Sequence, residues 1–349
     1  MNPEIPKSTM NRRQFMATAG AAAVLAGAGS RSIGLAADDL DRRNEQPDKM
    51  PYRKLGRTNF NSSRLVFGCG AALAGGKAVR LLERAYESGI NFYDVGYDAY
   101  YKGSEKYLAP FMKRHKGDVW ITSKAPARVS GNGPLTVEQA KGAAEYWSNE
   151  MNDSLTRMET DYVDAYYLMG VSNPELMKSE EIGNAFRKAK EAGKVGHLGI
   201  STHQNAQECL AAAIEVGWYD LAMIAITPAG WYDYVSNKLL DGKGSMKDIG
   251  ATLDKARAAG IGLIGMKAAR FIAVSPYGGV YGKVNDESIM TAFDKYYEEK
   301  LLKAPLTAYQ RSYAYVLEHG LDVVNADMQN FKHFEENLLA ARTSAEYFA

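Results

Sequence analysis

Nine side chains stand at the carboxyl ends of short apolar runs and could move protons or touch a ligand: Asp94, Lys124, Met169, Ser201, Thr202, His203, Thr227, Lys267 and Asp327. The rest of the chain offers few other reactive groups. His115, His197, His203, His319 and His333 lack the spacing of a metal site and Cys-X-X-Cys is absent, so no metal is assigned. The two cysteines, Cys69 in a strand-like run and Cys209 in a helix-like one, make no disulfide framework and read as buried small hydrophobes.

The elements that must position these residues follow from the apolar pattern. Eight runs rich in Val, Ile, Phe and Tyr occupy 64–70, 90–96, 119–125, 162–170, 195–202, 221–227, 261–268 and 322–328. Amphipathic stretches with apolar residues at three- and four-residue spacing separate them, several ending in glycine, as at Gly89, Gly193 and Gly217. Strict strand–helix alternation demands a parallel sheet. Eight repeats favour closure into a single-domain (β/α)8 TIM barrel over an open doubly wound sheet, the second choice. No Gly-X-Gly-X-X-Gly follows a strand, so the usual dinucleotide-binding signature is missing. In a barrel the chemistry belongs at the carboxyl ends of the strands, where the loops surround one mouth. The longest connection, 269–307, is expected to hold a short helix around 286–299 and is the size of an active-site lid.

Composition bounds the partners. The 349 residues are 46% hydrophobic and 24% charged, with 42 Lys+Arg against 41 Asp+Glu, a balance that argues against nucleic acid. The amino end departs from the average. Residues 11–29 join Arg12-Arg13 to an Ala/Gly-rich apolar run too short to span a bilayer, and Gly34, Ala36 and Ala37 precede Asp38-Asp39. Arg12-Arg13 followed by Gln14, Phe15 and Met16 resembles a twin-arginine export signal, which implies residues 1–37 as signal peptide with cleavage near Ala37. Residues 38–50 read as a linker and 51–349 as the barrel, with no membrane span in the mature chain and a periplasmic or extracellular destination.

Five segments in order carry a wider resemblance: PYRKLGRTNFNSSRLVFGCG at 51–70, GINFYDVG at 89–96, SLTRMETDYVDAYYLM at 154–169, GKVGHLGIST at 193–202 and FEENL at 334–338. Together they resemble the aldo-keto reductase family. The resemblance implies nicotinamide-dependent reduction of a small carbonyl, or oxidation of an alcohol. It also implies a tyrosine acid, a lysine that lowers the tyrosine's pKa, an aspartate that holds the lysine, and a histidine that orients the substrate oxygen. Physically, a tyrosine near pKa 10 is a poor donor at neutral pH unless a close ammonium favours its ionised form.

Asp94 matches the family's aspartate and Lys124 its lysine. The family's spacing for the tyrosine falls on Ala99, so a one- or two-residue insertion leaves Tyr100 or Tyr101 as the acid, with Tyr97 behind them. Met169 stands where the histidine belongs and cannot donate its hydrogen bond; His203 is a candidate substitute, and His197, inside a strand, reads as a satisfied barrel histidine. The resemblance further implies cofactor contacts at Ser201, Thr202, Met223, Lys267, Asp327, His333, Glu336 and Asn337, with Met266 at an aromatic stacking position. Asp327 and His333 fall where a 2′-phosphate would need basic residues, so NAD is expected over NADP. The altered positions leave a second reading open, a catalytically degenerate barrel that binds a small ligand or a partner protein outside the cytoplasm.

Overall fold

The computed structural model describes residues 50–129, 131, 133–236, 238–239, 245–273 and 287–348. The expected signal and linker, apart from Met50, and residues 274–286 of the long connection lie outside the described residues.

Twelve strands are described: β1 (Tyr52–Lys54), β2 (Asn61–Ser63), β3 (Leu65–Gly68), β4 (Phe92–Asp94), β5 (Trp120–Ala125), β6 (Val163–Met169), β7 (Val195–Thr202), β8 (Leu221–Thr227), β9 (Gly230–Asp233), β10 (Lys238–Leu239), β11 (Gly262–Met266) and β12 (Val323–Asp327). Eight of them, β3 to β8 with β11 and β12, are the eight apolar runs and pair in parallel. The circle closes because β12 pairs β3 (Val324 opposite Leu65) while β7 pairs β8 (Gly199 opposite Leu221). That removes the open-sheet alternative.

The amphipathic stretches are helices, including Leu81–Glu87, Val137–Arg157, Glu180–Glu191 and Ala206–Val216. Thr136 opens the longest with a capping box, exchanging hydrogen bonds with Gln139, and Gly217 ends the last in the left-handed conformation. Cys69 falls just beyond β3, where it begins the short helix Cys69–Leu73, because the chain turns outward after Gly68. The antiparallel hairpin of β9 and β10 leaves the end of β8, an element the apolar pattern did not signal. The helix expected around 286–299 is broken into Glu287–Met290, a 3-10 turn at Asp294–Tyr296, and Glu299–Leu302, since Tyr297 and Glu298 adopt extended backbone.

Strand alternation sorts side chains into two cores. Val66, Phe92, Trp120, Ala165, Tyr167, Leu221, Met223, Ile264, Met266 and Val323 fill the barrel interior. Phe67, Tyr93, Ile121, Tyr166 and Val324, one residue out of step, pack outward under the helices. Asp94, Lys124, Met169 and Asn325 share parity with the interior set and stand at its upper edge. The lower end is stoppered by the β1–β2 hairpin. Leu55 is fully buried there and Phe60 stacks on Trp120 at 4.5 Å between centroids. Arg57 donates to Asp220 at 2.5 Å and to the carbonyls of Gly217 and Tyr219 at 2.7 Å each. His197 completes this cluster, 2.8 Å from Asp220 and stacked on Trp120, as a satisfied barrel histidine. Burial alone would raise the Asp220 pKa, but the hydrogen bonds from His197 and Arg57 outweigh it and hold the group below its ordinary value.

Gly56 sets how closely the hairpin docks: its φ is +53°, and a Cβ there would lie 2.4 Å from the backbone nitrogen of Gly262. Gly56→Ala should therefore cost on the order of 3 kcal/mol, combining left-handed strain with overpacking. A fall in the denaturant midpoint at unchanged slope is the expected result, and an unchanged midpoint would show that the hairpin is not part of the packed fold.

Candidate active site

The interior residues at the carboxyl ends of the strands surround a cavity of about 310 Å³. At its base Lys124 of β5 and Asp94 of β4 form a buried pair, with the ammonium donating to both carboxylate oxygens at 2.7 and 2.6 Å. Its third proton goes to the carbonyl of Val95 at 2.7 Å, so all three donors of Lys124 are engaged within the protein. Asn325 of β12 donates to Asp94 Oδ2 at 2.6 Å and to the Met223 sulfur at 3.6 Å, tying β12 to β4. Burial raises the Asp94 pKa, and Lys124 and Asn325 oppose that rise.

Tyr101 lies against this pair, its ring centroid 5.9 Å from Lys124 Nζ. Space for the ring comes from Gly70, where a Cβ would fall 2.6 Å from Tyr101 Cε1; space for the lysine stem comes from Gly96, where a Cβ would fall 2.5 Å from Lys124 Cγ. The expected lowering of the tyrosine pKa is not what this geometry produces. Burial, followed by the negative charge of Asp94, pushes the Tyr101 phenol well above its ordinary value. Tyr100 also lines the cavity but is 56% exposed at its rim, and its pKa is raised chiefly by a hydrogen bond with Tyr234. Tyr97 lies elsewhere, 2.8 Å from the Tyr146 hydroxyl and accepting from Arg128 at 2.9 Å.

This barrel matches a known family over residues 64–241, which include Asp94, Tyr101, Lys124 and Met169; the matching description is the aldo/keto reductase family. The chain belongs to that family. An uncharacterized oxidoreductase of Bacillus subtilis, YqkF, is 30% identical over 156 residues, 44% of this chain and 49% of that protein. A Glycine max protein named probable aldo-keto reductase 1 is 27% identical over 158 residues, 42% of this chain and 44% of that protein. The chain thus matches about half the length of these curated relatives. Aldo-keto reductase AKR11C1 from Bacillus halodurans, in its holo form, superposes with a TM-score of 0.61 at 19% identity, over 86% of this chain and 96% of that one, and shares the fold.

Within this aldo/keto reductase barrel the other expected site residues divide. Met169, Ser201, His203, Met223, Met266, Lys267 and Asp327 line the cavity. Thr202, His333, Glu336 and Asn337 do not. Thr202 donates to the Gln204 carbonyl at 2.7 Å. His333, Glu336 and Asn337 stand on the helix Phe331–Thr343, where Asn337 donates to the Asp327 backbone carbonyl at 3.1 Å and burial lowers the His333 pKa and raises that of Glu336. Thr227 donates to the Gly230 carbonyl at 3.3 Å in the β8–β9 turn, away from the cavity. Burial, then the charges of Lys267 and Lys124, brings the His203 pKa down to about 3, so its imidazole is neutral. Lys267 is half-buried in the cavity wall and is not a solvated rim charge; burial, then Arg270, brings its pKa down to about 8. Burial raises the Asp327 pKa; one oxygen accepts from Gln329 at 2.5 Å, and the other is buried without a hydrogen bond.

Asn325, Tyr234 and Arg270 were not anticipated. Asn325 was findable, since a polar residue at interior parity two positions before Asp327 must face the barrel axis. Tyr234 follows a hairpin strand that the apolar pattern did not show, and Arg270 opens a helical turn inside the connection read as a lid. Among the described residues no group of three or more His, Cys, Asp or Glu could hold a metal ion.

Proposed function

We propose that this chain is a nicotinamide-dependent reductase of small carbonyl compounds, with Tyr101 as proton donor. The observation that carries this reading is the buried Asp94–Lys124 pair in the cavity wall with the Tyr101 ring against its ammonium. Asp94 anchors the Lys124 ammonium beside the phenol that must part with a proton, through two hydrogen bonds. The neutral Tyr101 hydroxyl gives its proton to the carbonyl oxygen as the carbon is reduced, and Lys124 must turn a donor from Asp94 or Val95 toward the phenolate left behind. Met169 can supply no hydrogen bond to that oxygen, and the neutral His203, which also lines the cavity, would be the donor in its place.

The donor set fits a nicotinamide nucleotide without a 2′-phosphate. Ser201, buried in the cavity wall, would hold the amide, and the unpaired oxygen of Asp327 would accept from a ribose hydroxyl while repelling a phosphate there. Such a cofactor supplies the hydride. One observation favours the degenerate, non-redox barrel instead: at rest all three donors of Lys124 are spent within the protein and none reaches Tyr101.

We further propose that Arg12-Arg13 and the apolar run after them direct the chain through the twin-arginine pathway to the periplasm or beyond. Among the described residues no helix is long and apolar enough to cross a membrane.

Two experiments test these readings. Tyr101→Phe keeps the ring and removes the proton, and should lower kcat with a small aromatic aldehyde by at least about 10²-fold, whereas Tyr100→Phe should leave a far smaller loss; the reverse order would move the donor to Tyr100, and no loss in either would end the proposed mechanism. Changing Arg12 and Arg13 together to lysine should leave the protein in the cytoplasm with its amino end intact, and undiminished periplasmic recovery would overturn the export proposal.

A further inference from the structure

Five carboxylates are buried among the described residues: Asp94, Glu105, Asp164, Asp220 and Asp322. Asp164, Asp220 and Asp322 stand at the amino ends of β6, β8 and β12, the end of a barrel remote from its chemistry. Asp94 belongs to the site. Glu105 is the remaining one, fully buried against the carboxyl-terminal half of β5, and the mechanism above leaves it unused.

Both oxygens of Glu105 are engaged. Oε1 accepts from the Ser123 hydroxyl at 2.6 Å and Oε2 from Arg157 Nε at 2.6 Å. Ser123 immediately precedes Lys124 on β5 and shares the outward parity of Ile121, so Glu105 grips the outer face of the strand one residue from the inward-pointing lysine. Arg157 ends the long helix Val137–Arg157 and also donates to the Ser154 hydroxyl at 3.2 Å, which anchors the carboxylate to a second element.

The preceding residue grips the tyrosine. Ser104, also fully buried, directs its hydroxyl to the carbonyls of Tyr101 at 2.5 Å and Gly70 at 2.6 Å. Gly70 is the position whose missing side chain leaves room for the Tyr101 ring. Between Tyr101 and Ser104 the chain passes through Lys102 and Gly103 at φ values of 48° and 84°, and a left-handed lysine persists only where its surroundings impose it. The loop that carries Tyr101 is pinned to β5 at both ends: the Tyr97 amide donates to the Lys124 carbonyl at 2.9 Å, and Glu105 accepts from Ser123.

We propose that Glu105 is a positioning residue for Tyr101: with Ser123 and Arg157 it closes this loop onto β5 and fixes the phenol against Lys124. The effect on turnover rests on the reductase reading above; the seating of Tyr101 does not.

The test follows Tyr101 directly. In protein labelled with carbon-13 at the tyrosine ζ carbon, the Tyr101 resonance is identified by its loss in Tyr101→Phe. Ser123→Ala removes one hydroxyl, and Glu105→Gln keeps the shape while removing the charge that holds Arg157; each should move that resonance in folded protein. Arg157→Lys, which keeps a cation for Glu105, should leave it near its wild-type position. In turnover of benzaldehyde with NADH, Glu105→Gln should lower kcat about ten- to a hundredfold with KM little changed, the size of a slightly misplaced catalytic group. In the Tyr101→Phe background the same change should cost nothing further, because a residue acting through the phenol has nothing left to act on. An unmoved Tyr101 resonance in folded Ser123→Ala and Glu105→Gln overturns the proposal, and so does a kcat loss that multiplies with that of Tyr101→Phe. A resonance that moves in the variants, with no benzaldehyde turned over by the wild type, supports the seating role and counts against the reductase. If Glu105→Gln fails to fold, the resonance in Ser123→Ala decides the matter alone.

Discussion

The Asp94–Lys124 ion pair is the interaction around which the upper barrel is arranged. Two charges in a nearly dry position are tolerable only with every donor and acceptor engaged, and removing one partner of such a pair typically costs about 3–5 kcal/mol. The protein meets that condition with two carboxylate contacts, the Val95 carbonyl and the amide of Asn325. Asp94 and Lys124 come from the neighbouring strands β4 and β5, and closure of the circle through β12 and β3 brings Asn325 to the pair. Gly96 and Gly70 then give up their side chains to the lysine stem and the tyrosine ring. A change at either glycine would reach the chemistry without touching a charged group.

Much of this was legible in the sequence because a barrel turns alternation into position. The eight apolar runs are the eight barrel strands, and period-two parity is enough to send Asp94, Lys124, Met169 and Asp327 to the same mouth. Spacing could not choose between Tyr100 and Tyr101, since a loop insertion obeys no period. The geometry separates them through the left-handed Lys102 and the gap at Gly70, which seat Tyr101 in the cavity and leave Tyr100 on its rim. Other features have no one-dimensional trace. The direction of the Tyr101 pKa depends on its burial and then on the charge of Asp94, and the place of Tyr234 in the cavity wall depends on a hairpin of short strands that carry no clear alternation.

The cavity's chemistry is that of a site with its polar groups redistributed. Met169, Met223 and Met266 line the cavity, and thioethers fill space while offering no strong donor. Polar character is interleaved with them around the mouth, in His203 just after β7, in Lys267 and Arg270 just after β11, and in Asp327 of β12. A ligand held there would be oriented by charge from the late strands while the proton comes from the early ones.

The central claim, that this altered wall still serves a nicotinamide nucleotide lacking a 2′-phosphate, is tested most directly by titrating the folded barrel with NADH and with NADPH under identical salt, following tryptophan fluorescence or heat. The account predicts that NADH binds and that NADPH binds no more tightly, because the half-buried carboxylate of Asp327 repels the extra phosphate. Tighter binding of NADPH would contradict the assignment of Asp327, and binding of neither nucleotide would contradict the reductase itself.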